Sequence, residues 1–154
     1  MNLDSIKVFL DNMDGLPTLP DPSGFVDRLE SIARILVILG PVVMIILGLL
    51  YIFAAPKEAN HHFGYRCYFG MGSEKAWQYT QRIAGVTWTV MGAVMTVAML
   101  VATRRFSELG TLDMLTHAAL CVGAQALMLV IATVVIRSAV AARFDRHGEP
   151  RRRK

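Results

Sequence analysis

The chain has 154 residues, enough for one domain; 54% are apolar, only 18% are charged, and the net charge is +4. A soluble domain of this size has too large a surface for its volume to hide that much apolar material. The apolar residues also stand in long uncharged blocks, which argues against a water-soluble globule and for lipid as the solvent.

Charge is unevenly placed. Residues 1–30 carry Asp4, Asp11, Asp14, Asp21, Asp27 and Glu30 against Lys7 and Arg28, whereas the last residues carry Arg143, Arg146, Arg151, Arg152, Arg153 and Lys154 against Asp145 and Glu149. A basic tail beside a membrane helix points to anionic lipid on the cytoplasmic face rather than to direct nucleic-acid binding. Cys67 lies in a polar loop and Cys121 in an apolar block, with no Cys-x-x-Cys pair, so neither a disulfide nor a zinc or redox site is expected. The acidic start lacks the pattern of a cleaved signal peptide.

Residues 1–22 read as an extracellular arm. Within it Leu3, Ile6, Phe9, Leu10 and Met13 share one face of a short helix over 2–14 that suits the membrane interface or a partner. Gly15, Pro17, Pro20 and Pro22 end that helix, and Ser23 is a candidate N-cap for the next. The first transmembrane helix is assigned to 23–55. Its stretch from Ile35 to Ala55 is uncharged and long enough to cross about 30 Å of hydrocarbon. Pro41 should remove one backbone hydrogen bond and, beside Gly40, allow a kink; Pro56 ends the span. A loop over 56–82 follows.

The second transmembrane helix is assigned to 83–103, with Gly85 and Gly92 among the small residues that let helices approach closely in lipid. An extracellular loop over 104–112 holds Arg104 and Arg105. The third helix is assigned to 113–142, where Ala119 and Gly123 suit a second close contact and Arg137 can snorkel to the headgroups. Gln125 lies near mid-membrane and needs a partner there, as interhelical glue or as a ligand contact. Residues 143–154 form the basic tail. The expected fold is an all-α membrane protein of three transmembrane helices with an N-terminal interfacial helix. Five of the sixteen Lys and Arg residues (Lys7, Arg28, Arg34, Arg104, Arg105) fall on one side and the rest on the other. Positive-inside placement puts the N-terminus outside and the C-terminus and 56–82 loop in the cytoplasm.

That loop is too aromatic and glycine-rich for a plain linker. Asn60 can hold a turn, Gly64 permits an unusual backbone angle, and Tyr65 with Trp77 can belong to an interfacial aromatic belt. Arg66 offers a five-donor fork for a carboxylate, a phosphate headgroup or helix carbonyls. Ser73 can cap the following helix, with Glu74 at its positive end. Adjacent His61 and His62 lack further ligands at metal-binding spacing, so no metal is expected. The spans show no paired carboxylates, no nucleophile with a base and no phosphate-binding loop. A non-enzymatic protein without a cofactor is therefore expected, and oligomers are open to it.

Asn60-x-x-x-Gly64-Tyr65-Arg66, Ser73-Glu74-x-x-Trp77, then Arg82 and Gly85, resembles the SdpI family of bacterial membrane proteins over roughly residues 50–105. The resemblance implies a plasma-membrane protein giving immunity to a secreted peptide toxin, and a possible signalling role in which a cytoplasmic regulator is captured. Two departures stand out: Cys67 where the family usually has Thr or Ser, and Thr80-Gln81 where a small residue and Asn are common. The alternative is a structural subunit that packs against a membrane protein partner in a larger assembly.

Overall fold

The structure is a computed structural model, and it describes residues 22–59 and 62–151. The N-terminal arm and its expected amphipathic helix, Asn60, His61 and the last three residues lie outside the described residues. The described residues form three long helices: α1 (Pro22–Phe53), α2 (Glu74–Ala102) and α3 (Thr111–Arg143). A short 3-10 helix, Tyr68–Met71, precedes α2, and another, Thr103–Glu108, joins α2 to α3. All three long helices are long and apolar enough to cross a membrane. No strand occurs among the described residues, so the expected all-α, three-span fold is what forms.

Ser23, expected as the N-cap of α1, lies within the helix as described.

Alpha1 runs unbroken through Pro41, which is fully buried. Without an N–H, Pro41 leaves the carbonyl of Val37 with no donor from four residues on. The Nε2 of Gln125 on α3 donates to that same Val37 oxygen at 2.7 Å. Gly40 gives it room, since a Cβ there would collide with the Gln125 side-chain oxygen. The carbonyl freed by Pro41 on α1 and the Gln125 amide on α3 thus satisfy each other. Gln125→Leu keeps the volume but orphans the Val37 carbonyl. We expect a loss of about 1–2 kcal/mol, read as earlier unfolding in mixed detergent micelles.

Alpha1 and α2 form the tight pair. Gly92 faces the backbone oxygen of Pro41, which an added Cβ would approach to 2.9 Å. Gly85 sits equally close to Gly48 and Ile52 of α1. These glycines are packing positions, as the small-residue pattern predicts. Gly123 is not: nothing lies within 4 Å of a Cβ built there, and Ala119 is exposed beside it. The contact predicted at Ala119 and Gly123 does not form within the chain. Gln125 fixes which face of α3 turns inward, and Gly123, two residues away, is rotated about 200° from it.

Side chains cluster at both ends. Ala33, Val37, Met99, Phe106 and Met114 fill one end. There the Arg34 guanidinium lies 5.9 Å from the Phe106 ring centre and pairs with Glu30 at 2.6 Å. Cys67, Ala76, Ala84, Ile136, Val140 and Phe144 fill the other, where the 56–73 loop and the tail meet.

Candidate functional site

The loop that carries the sequence motif is folded onto the end of the bundle, and two side chains of α2 hold it. Trp77 is completely buried, and its indole N–H donates to the Pro56 carbonyl at 2.8 Å, tying the start of the loop to the first turn of α2. Gly64 lies flat on the indole: its φ is +121°, and a Cβ there would sit 2.7 Å from the ring. Both the angle and the space require glycine. One turn further along α2, Gln81 takes both backbone groups of Tyr65. Its Oε1 accepts from the Tyr65 N–H and its Nε2 donates to the Tyr65 carbonyl, each at 2.8 Å. The side-chain amide stands in for a neighbouring strand and leaves neither backbone group of Tyr65 unsatisfied.

With its backbone so fixed, the Tyr65 ring joins Tyr51 and Trp88 in a triangle of edge-on contacts, with centroids 5.6 to 6.5 Å apart. Tyr65 and Trp77 are therefore interior residues of the capped end and do not form a lipid-facing belt. The spacing of aromatics near a membrane end reads alike for either role. Tyr68, by contrast, is 72% exposed.

The two departures from the family pattern meet in space. The Cys67 Sγ and Thr80 Oγ1 lie 4.0 Å apart, both buried, and Gly70 fits against the pair. Gln81, the other departure, is the clamp on Tyr65. The unusual residues thus belong to one local packing solution. Cys67 and Cys121 are free thiols.

Ser73 caps α2 as expected, its hydroxyl oxygen accepting from the Ala76 N–H at 3.2 Å. The same hydroxyl donates to the Gly148 carbonyl at 2.6 Å. Its partner is a feature the composition hides. The tail does not trail away as a charged ribbon but folds into a tight turn, with Phe144 paired to Pro150 and the Arg151 N–H donating to the Arg143 carbonyl at 2.9 Å. Gly148 has φ +76° and packs on Gly72 and Ser73, too close for any side chain at either glycine. The signal was present in Asp145-x-x-Gly148, a turn signature masked by the surrounding arginines. Tyr79 locks the turn to the bundle, with Phe144 at 5.5 Å and the Arg143 guanidinium at 4.8 Å.

Asp145 pins the turn, accepting from the backbone N–H groups of His147 and Glu149 at 2.9 Å each. The Glu149 N–H is the largest cause holding its carboxyl below the usual value of 3.8; the His147 N–H and the His147 and Arg151 charges add to it against some desolvation. A lowered carboxyl pKa stabilises the folded turn above the ordinary value and loses that contribution as pH falls through the lowered one. The Asp145 carboxyl carbon resonance is expected to titrate below 3.8, and the amide resonances of His147 and Glu149 report its two hydrogen bonds. In Asp145→Ala these amide resonances are expected to be shifted at neutral pH already.

Arg66 stands apart from its motif neighbours. It is exposed and makes no hydrogen bond or ion pair with any described residue, so it does not cap a helix of the chain. Glu74 is also exposed in the first turn of α2, where it accepts from Gln78 Nε2 at 2.8 Å. Among the described residues, no three His, Cys, Asp or Glu side chains are placed to hold a metal ion.

Three apolar helices closed at one end by a rigid, motif-built cap define a multi-pass membrane protein with an ordered polar face. A model of the SdpI/YfhL protein family matches residues 56–140, more than half of the chain, and the protein belongs to that family. The match takes in the whole motif loop, α2 and most of α3, well beyond the segment on which the sequence motif rests. Comparison with curated proteins and with solved structures gave no match.

Proposed function

We propose that the protein confers immunity to a secreted peptide toxin from within the bacterial plasma membrane, and that its motif face reports the toxin by binding a cytoplasmic regulator. The observation that carries this reading is membership of the SdpI/YfhL family across the motif loop and the two helices after it. The distribution of Lys and Arg supports an orientation with the N-terminus outside and the motif loop and tail inside. The protein works by binding and carries out no chemistry. Trp77, Gln81 and Gly64 hold the motif face in shape, and Arg66 is its exposed contact, with a guanidinium suited to a carboxylate on the partner.

The test is to delete the gene, challenge the cells with a secreted peptide toxin encoded beside it, and complement with wild type or Arg66→Ala. Wild type is expected to restore survival. Arg66→Ala should leave the amount of protein in the membrane unchanged, because Arg66 is exposed and makes no hydrogen bond or ion pair with a described residue, and should drop protection to the level of the deletion. Full protection by Arg66→Ala would remove it from the site.

A second reading, a structural subunit of a larger membrane assembly, is favoured by the open face of α3 at Ala119 and Gly123, where these small residues meet no other described helix. Purification as a lone monomer in mild detergent would argue against it.

A further inference from the structure

Lys75, Tyr79 and Arg82 lie at i, i+4 and i+7 on one face of α2. Opposite them the end of α1 contributes Tyr51 and Ile52, and the turn beyond it contributes Lys57. Together they line an open cleft of about 530 Å³. The lining changes character with depth along the helices. Arg82 directly precedes Ile83, where α2 becomes uncharged, and Lys57 follows the last apolar residues of α1. The cleft therefore lies where hydrocarbon gives way to headgroups: on α1 Tyr51 and Ile52 stand on the membrane side of Lys57, and on α2 Arg82 is the deepest of the cations, with Tyr79 and Lys75 toward the loop.

Among the described residues no carboxylate lines the cleft, and none of the three cations has an acidic partner within ion-pair distance. Two acids stand near it without lining it: Glu58 is exposed outside it, and Glu74 accepts a hydrogen bond from the cleft residue Gln78 and keeps its charge, so three cations face two acids and positive charge is in excess. Three like charges gathered around one opening repel each other, and an anion between them relieves that repulsion. Tyr79 is a firm wall, held from behind by Phe144 and Arg143.

We propose that this cleft binds the phosphoryl headgroup of an anionic membrane phospholipid, with Lys57, Lys75 and Arg82 around the phosphate and Tyr51 and Ile52 against the glycerol and the upper acyl chain. The apolar half of the lining and its depth favour a lipid over free phosphate, which has nothing to place there. Arg66 and the immunity reading play no part in this site.

The experiment uses the full chain reconstituted in vesicles of equal parts phosphatidylglycerol and phosphatidylcholine. Lipid retained on the released protein is measured by native mass spectrometry. Wild type should retain phosphatidylglycerol in preference to phosphatidylcholine. The triple variant K57Q/K75Q/R82Q should lose that preference by on the order of a hundredfold, and K57Q alone by about fivefold. The single change touches only an exposed side chain and keeps the test valid if the triple variant folds poorly. The control R28Q/R104Q/R105Q removes the same charge from the opposite end and should retain the lipid as wild type does. Equal loss in the control would show only diffuse attraction to net charge and overturn the site. Equal retention of phosphatidylcholine would overturn it as well. So would displacement of the lipid by inorganic phosphate at matching concentration, which would make the cleft a free-phosphate site.

Discussion

Trp77→Ala is expected to cost about 3–5 kcal/mol of stability, the range for emptying a large buried aromatic site. Three losses coincide. The indole leaves a cavity under Gly64, whose ring contact disappears. The Pro56 carbonyl loses its donor. The loop between them is then held through Gln81, the contact of Cys67 with Thr80 and the ring contacts of Tyr65. The expected result is a marked fall in the amount of protein in the membrane and a lower midpoint of denaturation in detergent. Trp77→Phe should recover the packing but not the hydrogen bond, so its loss should be about 1–2 kcal/mol. A Trp77→Ala protein as abundant and as stable as wild type would return Trp77 to the lipid-facing belt.

Gly85→Leu carries the other large effect. A Cβ at this position would stand 2.7 Å from the Gly48 carbonyl oxygen and 2.5 Å from the Ile52 side chain. The first of these is backbone and cannot turn aside. The helices have to separate along their tightest contact, at a cost of about 3 kcal/mol, toward the upper end for overfilled interiors. Separation there also disturbs Tyr51, one residue from Ile52, and with it the aromatic triangle that backs the cap. Gly123→Leu is the paired control. Nothing in the chain faces it, so the folded monomer should tolerate it, and any effect should appear only in association with another membrane protein. Unfolding in mixed micelles reads both variants.

The spans were legible because their signal is long, repetitive and local: an uncharged block reads as a span whatever it packs against. Ser73 was legible for the same reason, since a cap is decided within three residues. Gln125 was legible as a need, because a polar side chain in lipid has to find a partner. That the partner is the carbonyl freed by Pro41 was not, since the two residues are 88 apart in sequence and only the bundle aligns them. Gly123 shows the complementary failure. Small residues four apart state that a close approach is possible, but the direction they face is set by other residues of the helix. The tail turn was hidden by composition, its Asp and Gly outnumbered by arginines that drew the reading toward lipid.

Within the motif, the sequence identified the right segment but not the division of labour. Gln81 was noted only as a departure from the family pattern, yet it holds Tyr65 by both backbone groups. A glutamine with that role leaves no local signature, because its partners lie 16 residues back along the chain. Arg66, at the centre of the motif, contributes nothing to the cap, and this lack of structural work is why its substitution separates function from folding.

The central claim is that the motif loop is a built structure held by α2. Hydrogen exchange of the full chain in detergent, resolved at Tyr65 and Gly70, tests it most directly. Both amides are hydrogen-bonded, Tyr65 to Gln81 Oε1 and Gly70 to the Cys67 carbonyl at 3.1 Å. They should exchange far more slowly than an open loop. Gln81→Leu should release Tyr65 while leaving the amides of α2 protected. Exchange of both amides in the wild type at the rate of an unstructured chain would contradict the account.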